Sequence, residues 1–138
     1  MVGERYSRAT RLASSLVREM DRRDTFMVMA CDTTCQVMGA TSKNSLGQIL
    51  EPSPETAADV ERFLGTIEPD GGSDLFLAVQ AARTAAGNPK GKELRVLYLG
   101  DGTPTVGPTR PATIEEIGHA LRQRDLAGGH AEEQEACA

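Results

Sequence analysis

No part of this chain stays apolar for long. The longest such run, FMVMAC at residues 26–31, is far short of the roughly 20 residues that cross a bilayer. Nor does the start read as a secretory leader, because Arg5, Arg8, Arg11 and Arg18 interrupt any apolar segment there. The expectation is a chain without a membrane segment that stays in the cytoplasm. Basic residues are few and scattered, 15 against 20 acidic for a net charge of −5. Without a dense Lys/Arg stripe to follow phosphates, nucleic acid is not expected as a partner. Three cysteines cannot close a disulfide framework, and the odd count points to reduced thiols. The sequence holds no G-x-S-x-G, H-E-x-x-H or Walker loop, so the familiar signatures of nucleophile, zinc-protease and phosphate-cradle chemistry are missing.

What is present is one domain's worth of ordinary globular sequence. The chain has 138 residues, 39% hydrophobic and 25% charged. At this size it would expose roughly 7,000 Å² folded against roughly 21,000 Å² unfolded, enough burial for one core. The reading is a partial domain over residues 1–126 and a disordered tail over 127–138, where GGHAEEQEACA has no periodicity.

Ala9, Leu12, Ala13, Leu16, Val17 and Met20 recur at helical spacing, with Arg8, Arg11, Arg18 and Glu19 on the other face. Residues 25–31 then read as a strand covered on both faces, and residues 35–38 return after Asp32-Thr33-Thr34 as the second arm of a hairpin. Ser53-Pro54 offers an N-cap with proline at the first helical position, followed by the stripe Ala57, Val60, Phe63 and Leu64. A third helix opens near Asp74 with Leu75, Ala78, Val79, Ala82 and Ala85. The run LRVLYL at 94–99 predicts a strand ending at Gly100-Asp101-Gly102, and a capping box at Thr113–Glu116 predicts a last helix to about residue 124. Strands alternating with helices imply an α/β three-layer fold with a mostly parallel sheet. Sites in such sheets gather beyond the strands' carboxyl ends, where Asp32 and Asp101 fall.

Two glycine turns carry the candidate chemistry. Asp101 stands between Gly100 and Gly102, which either let the backbone approach a bound ion closely or simply turn the chain. Gly71-Gly72-Ser73-Asp74 brings a hydroxyl and a carboxylate to the start of a helix, as ligands or as an N-cap. Ser73 and Asp101 together are hard oxygen donors of the kind Mg²⁺ takes. Cys31 and Cys35 flank the hairpin turn; a metal there would need two more ligands, which His119 and His130 are badly placed to give, so both read as core or hairpin thiols.

These segments resemble the von Willebrand factor A (VWA) domain in its bacterial form, found with or without a VIT domain. The likeness covers about residues 1–124 and rests on GERYSRAT, FMVMACDTTCQV, PETAADVERFLGTIEPDGGSDLFLAVQAA and LRVLYLGDGTPTVG. It implies that Ser73 supplies the second-loop hydroxyl of a metal-ion-dependent adhesion site, that Asp101 supplies the third-loop carboxylate, and that Asp74 supports them from behind. Gly71, Gly72, Gly100 and Gly102 would shape the ligand loops. The pattern is incomplete. Gly100 stands where the family carries a hydroxyl residue, and no D-x-S-x-S loop occurs, so the principal ligand loop and the central strand before it are absent. The resemblance therefore implies a piece of a longer protein, truncated at its N-terminus.

With one hydroxyl and one carboxylate, most of the Mg²⁺ shell is left to water, and binding should be weak or absent. The expected function is a non-enzymatic protein-binding module that grips a partner's carboxylate at a degenerate ion site. The alternative is an α/β metal-dependent hydrolase or phosphotransferase using Asp101, which lacks an identifiable nucleophile and base.

Overall fold

The structure is a computed structural model that describes residues 3–44, 46–68, 72–87, 93–100 and 103–110, together with Glu115 and His119. The element order is α1 (Glu4–Glu19), β1 (Met29–Cys31), β2 (Cys35–Val37), α2 (Pro54–Gly65) and α3 (Leu75–Ala86). The last helix near 113–124 and the tail at 127–138 lie essentially outside the described residues.

α2 starts where local chemistry says it must. Ser53 N–H donates to Thr56 Oγ1 at 2.8 Å and Thr56 N–H returns to Ser53 Oγ at 3.1 Å, so two amides at the helix start are satisfied reciprocally. Pro54 follows with its fixed φ. Ala57, Val60 and Leu64 are buried at helical spacing and meet Val17 of α1 in the core, with Ala13, Met20, Phe26, Val28, Ala30, Met38 and Phe63 packed around them.

α1 packs part of its expected stripe, Ala13, Val17 and Met20, against the core, but turns that face toward Thr10 and Ser14. Thr10, Ser14 and Val17 are buried, while Leu12 and Leu16 stay 49% and 37% exposed. Close packing accounts for the turn. Short side chains at 10 and 14 let α2 approach, and the Ser14 hydroxyl donates to the Ala57 carbonyl at 3.0 Å, so its burial leaves no polar atom unmet. Tyr6 closes the far end by donating its hydroxyl to Leu64 O at 2.8 Å.

The hairpin forms, but its arms are shorter than the expected 25–31 and 35–38, and the first is only partly buried rather than covered on both faces. β1 pairs antiparallel with β2 in the register Met29↔Val37, Ala30↔Gln36, Cys31↔Cys35. Asp32 N–H donates to Thr34 O at 2.9 Å and Met38 N–H to Val28 O at 2.9 Å. By the alternation of the ladder, Cys31 and Cys35 then face each other across a non-hydrogen-bonded pair, where side chains stand closest. The reduced thiols expected from the odd cysteine count are not what the structure has there: Cys31 and Cys35 are joined in a disulfide, with Cα atoms 4.2 Å apart.

The mostly parallel three-layer sheet does not form. Among the described residues the only sheet is the two-stranded antiparallel one, and the architecture is a small helix-rich α+β arrangement. Residues 94–99 take no ladder partner there. A three-residue turn brings β1 and β2 together at little loop-closure cost, whereas pairing 94–99 with 25–31 must close a loop of more than sixty residues. Burial instead concentrates in the α1–α2 seam.

That seam sets a stability expectation. Val60 is fully buried, so Val60→Ala should cost about 2 kcal/mol in urea unfolding, from lost transfer energy plus a residual cavity. Leu12→Ala should fall within about 0.5 kcal/mol of the parent. Equal losses would put the packed face of α1 elsewhere.

Candidate functional site

The second glycine turn, the hairpin turn and the segment after residue 102 meet at one surface. Ser73 N–H donates to Thr105 Oγ1 at 2.8 Å, and its carbonyl accepts from Thr105 N–H at 2.9 Å and Val106 N–H at 3.2 Å. Asp74 N–H donates to the Asp32 carbonyl at 3.2 Å. Gly72 is packed so tightly between Thr33 and Val106 that a Cβ there would overlap both. Three segments far apart in sequence are thus tied together by backbone bonds and one glycine contact.

Asp74 is the N-cap of α3. Its carboxylate accepts from Leu77 N–H at 2.9 Å, and its carbonyl accepts from Ala78 N–H at 3.1 Å, meeting two needs of the helix start. The same carboxylate lies over Gly107, whose φ of 71° and lack of a side chain make the contact possible; a Cβ there would collide with it. Asp32 is also committed. Its Oδ1 accepts from Thr34 N–H at 2.8 Å, an Asx turn that holds the hairpin tip. That amide bond is the main reason the Asp32 carboxyl is held below its ordinary 3.8.

Ser73 is half-buried, and its hydroxyl makes no hydrogen bond among the described residues. It is therefore the uncommitted donor and acceptor of the surface. The Thr105 hydroxyl accepts from Ser73 N–H and still has its own O–H to donate. Asp101, with Gly71 and Gly102, lies outside the described residues. Gly100 is described, and the Tyr98 ring occupies the space a side chain at 100 would need, so the hydroxyl residue expected there from the VWA pattern could enter only if that ring swung away.

Sequence reasoning thus marked Ser73 and Asp74 but missed Thr33, Thr105 and Gly107. The threonine in Thr103-Pro104-Thr105 was a usable signal: a hydroxyl just after a glycine turn commonly bonds a neighbouring loop amide. Cys31 and Cys35 are taken by their disulfide, and no group of three His, Cys, Asp or Glu side chains able to hold a metal occurs among the described residues.

The described donors do not fit a tightly held Mg²⁺. The ion dehydrates reluctantly and wants several rigid oxygen ligands, whereas Asp32 Oδ1 and Asp74 Oδ1 already accept backbone amides, which leaves one further oxygen on each and the Ser73 and Thr105 hydroxyls, spread over three separate loops. Among the described residues no helix is long and apolar enough to cross a membrane.

The lowered Asp32 value fixes a sign. A carboxylate with a depressed folded-state pKa contributes stability above its unfolded value, and that contribution is lost as pH falls through the folded one. The hairpin tip and its tie to Asp74 should therefore loosen on acidification below about pH 4. Amide exchange at Thr34 and Asp74 checks this: both should speed up beyond the intrinsic trend, and Asp32→Asn, which keeps the acceptor oxygen, should abolish the extra acid step. Flat protection from neutral pH to pH 2.5 would remove Asp32 from this role.

Compared with known proteins, the chain matches no family model, no curated protein and no solved structure.

Proposed function

We propose that the chain is a non-catalytic, VWA-like protein-binding module that meets its partner at the surface formed by residues 32–34, 72–74 and 103–107. The proposal concerns this surface and not a three-layer parallel sheet, which does not occur among the described residues. The observation that carries it is the Ser73–Thr105 junction, which presents two hydroxyls with O–H groups to spare on a surface cross-tied by backbone bonds. Ser73 and Thr105 are the proposed hydroxyl donors, Asp101 is kept beside Ser73 as the proposed oxygen ligand of any weakly held Mg²⁺, and Asp74 shapes the surface by capping α3.

The partner group these donors suit is an acidic side chain. Hydroxyl O–H groups donate to a carboxylate, and such charge-assisted bonds are stronger than neutral ones. The nearby Asp32 and Asp74 carboxylates oppose it, so affinity for a single carboxylate is low and a partner must add contacts around the rim. Metal-free recognition follows from the donor chemistry, with Mg²⁺ weak or absent in this chain. The enzyme alternative built on Asp101 gains no support, since no nucleophile hydrogen-bonded to a base occurs among the described residues.

Titration of ¹⁵N-labelled protein tests the reading. A glutamate-containing peptide should shift the amides of Thr33, Ser73, Asp74, Thr105 and Val106, with the response reduced in Ser73→Ala. Mg²⁺ alone should give no saturable site tighter than about 100 μM. Peptide shifts scattered over α1 and α2, or a Mg²⁺ site tighter than that limit, would contradict the proposal.

A further inference from the structure

The Cys31–Cys35 disulfide stands apart from the core. Side chains along an extended strand alternate between its two faces. Val28, Ala30 and Met38 of the hairpin pack toward the α1–α2 seam. Met29, Cys35 and Val37 instead line a groove of about 320 Å³ against Leu77 and Ala81 of α3, wide enough for a small thiol to enter. Cys31 follows Ala30 and so falls on the α3 side with its partner. Both cysteines are partly exposed, so the bond is open to thiol–disulfide exchange, which needs access to a sulfur.

The three residues enclosed by this bond are the ones that reach out of the hairpin. The Asp32 carbonyl accepts from Asp74 N–H at 3.2 Å, and the Thr33 methyl packs on Gly72, where a Cβ would not fit. Inside the tip, Asp32 and Thr34 exchange bonds at 2.9 and 2.8 Å. Thr33 and Thr34 are exposed, so water competes with these bonds. β1 and β2 have three residues each, and a two-stranded hairpin is marginal in water. A cross-link between residues four apart in sequence adds little to global stability, because its entropic effect grows with loop length. Its effect is local: it holds the tip in the shape that meets α3.

We propose that the Cys31–Cys35 disulfide is a redox site through which a dithiol reductant controls the surface of residues 32–34, 72–74 and 103–107. The consequence for a partner rests on reading that surface as a contact surface; the opening of the bond does not. A thiolate of the reductant attacks Cys35 Sγ, breaking the bond to Cys31 Sγ, which leaves as a thiolate. The second thiol of the reductant, as a thiolate, then attacks the reductant's own sulfur in the mixed disulfide, and Cys35 Sγ leaves. Two electrons pass to the protein, the reductant ends as a cyclic disulfide, and its two protons end on Cys31 and Cys35. A dithiol suits this exchange because its second thiol is held at high effective concentration. Once cut, the two sulfurs move apart to contact distance, the tip loosens, and Asp32 and Thr33 release Asp74 and Gly72.

Reduction of the full chain in a Cys137→Ser background, with about 10 mM dithiothreitol as the probe, tests this. Two thiols per chain should appear, and amide exchange at Thr34 and Asp74 should rise several-fold while amides around the buried Val60 stay as slow as before. The double variant Cys31→Ser, Cys35→Ser should match the reduced form and no longer respond to dithiothreitol. Shifts induced by a glutamate peptide at Ser73 and Thr105 should shrink on reduction. Exchange at Asp74 reads the switch with no peptide present, and peptide shifts in the oxidised protein read the contact surface alone, so one can fail without the other. Unchanged exchange at Asp74 once both thiols have appeared, a bond that stays closed in the reductant, peptide shifts equal in both forms, or protection lost at Val60 together with Asp74 would overturn the proposal.

Discussion

The close approach of α1 to α2 is the constraint on which the rest of the structure depends. It is possible because α1 offers Thr10, Ala13 and Ser14 rather than long side chains along the contact, and because the Ser14 hydroxyl finds the Ala57 carbonyl at 3.0 Å. That bond satisfies a polar atom whose burial would otherwise cost about 1 to 3 kcal/mol. Val17, Ala57, Val60 and Leu64 can then exclude water between the two helices. Everything else is attached to that seam: Phe26, Val28, Ala30 and Met38 lay the hairpin against it.

From the hairpin outward, order is passed on by polar contacts more than by burial. α3 has no buried residue. Its start is held by the Asp74 cap, by the Asp74 amide on the Asp32 carbonyl, and by the paired bonds between Ser73 and Thr105. Such a chain of ties can present a surface, but each link is individually modest and exposed to competing water.

How much of this was legible in the sequence depended on how local the deciding interaction was. Ser53-Pro54 announced α2 and Asp74 announced α3 because a cap acts across three or four residues. The hairpin was legible for the same reason. The packed face of α1 was legible in part: Ala13, Val17 and Met20 face the core, but hydrophobicity also favoured Leu12 and Leu16 where close approach favoured Thr10 and Ser14. The disulfide was hidden behind the parity of the cysteine count, which says nothing about two residues placed opposite by a three-residue turn. The parallel sheet failed because a strand pattern at 94–99 records what a segment could pair with, not whether a partner lies beside it. At the site, Ser73 and Asp74 were readable from their glycine turn. The bond from Ser73 to Thr105 spans 32 residues, and no local pattern encodes it.

The account places nearly all cooperative stability in one helical seam and almost none in the extended apolar segment. Native-state hydrogen exchange measures that distribution residue by residue. Amides of α1 and α2 around Val17, Val60 and Leu64 should be the slowest and should open only with global unfolding, while Leu94, Val96 and Leu97 exchange near the rate of an unstructured peptide. Protection at 94–99 equal to that of α2 would mean the segment is laddered within a single chain, and would contradict the account at its centre.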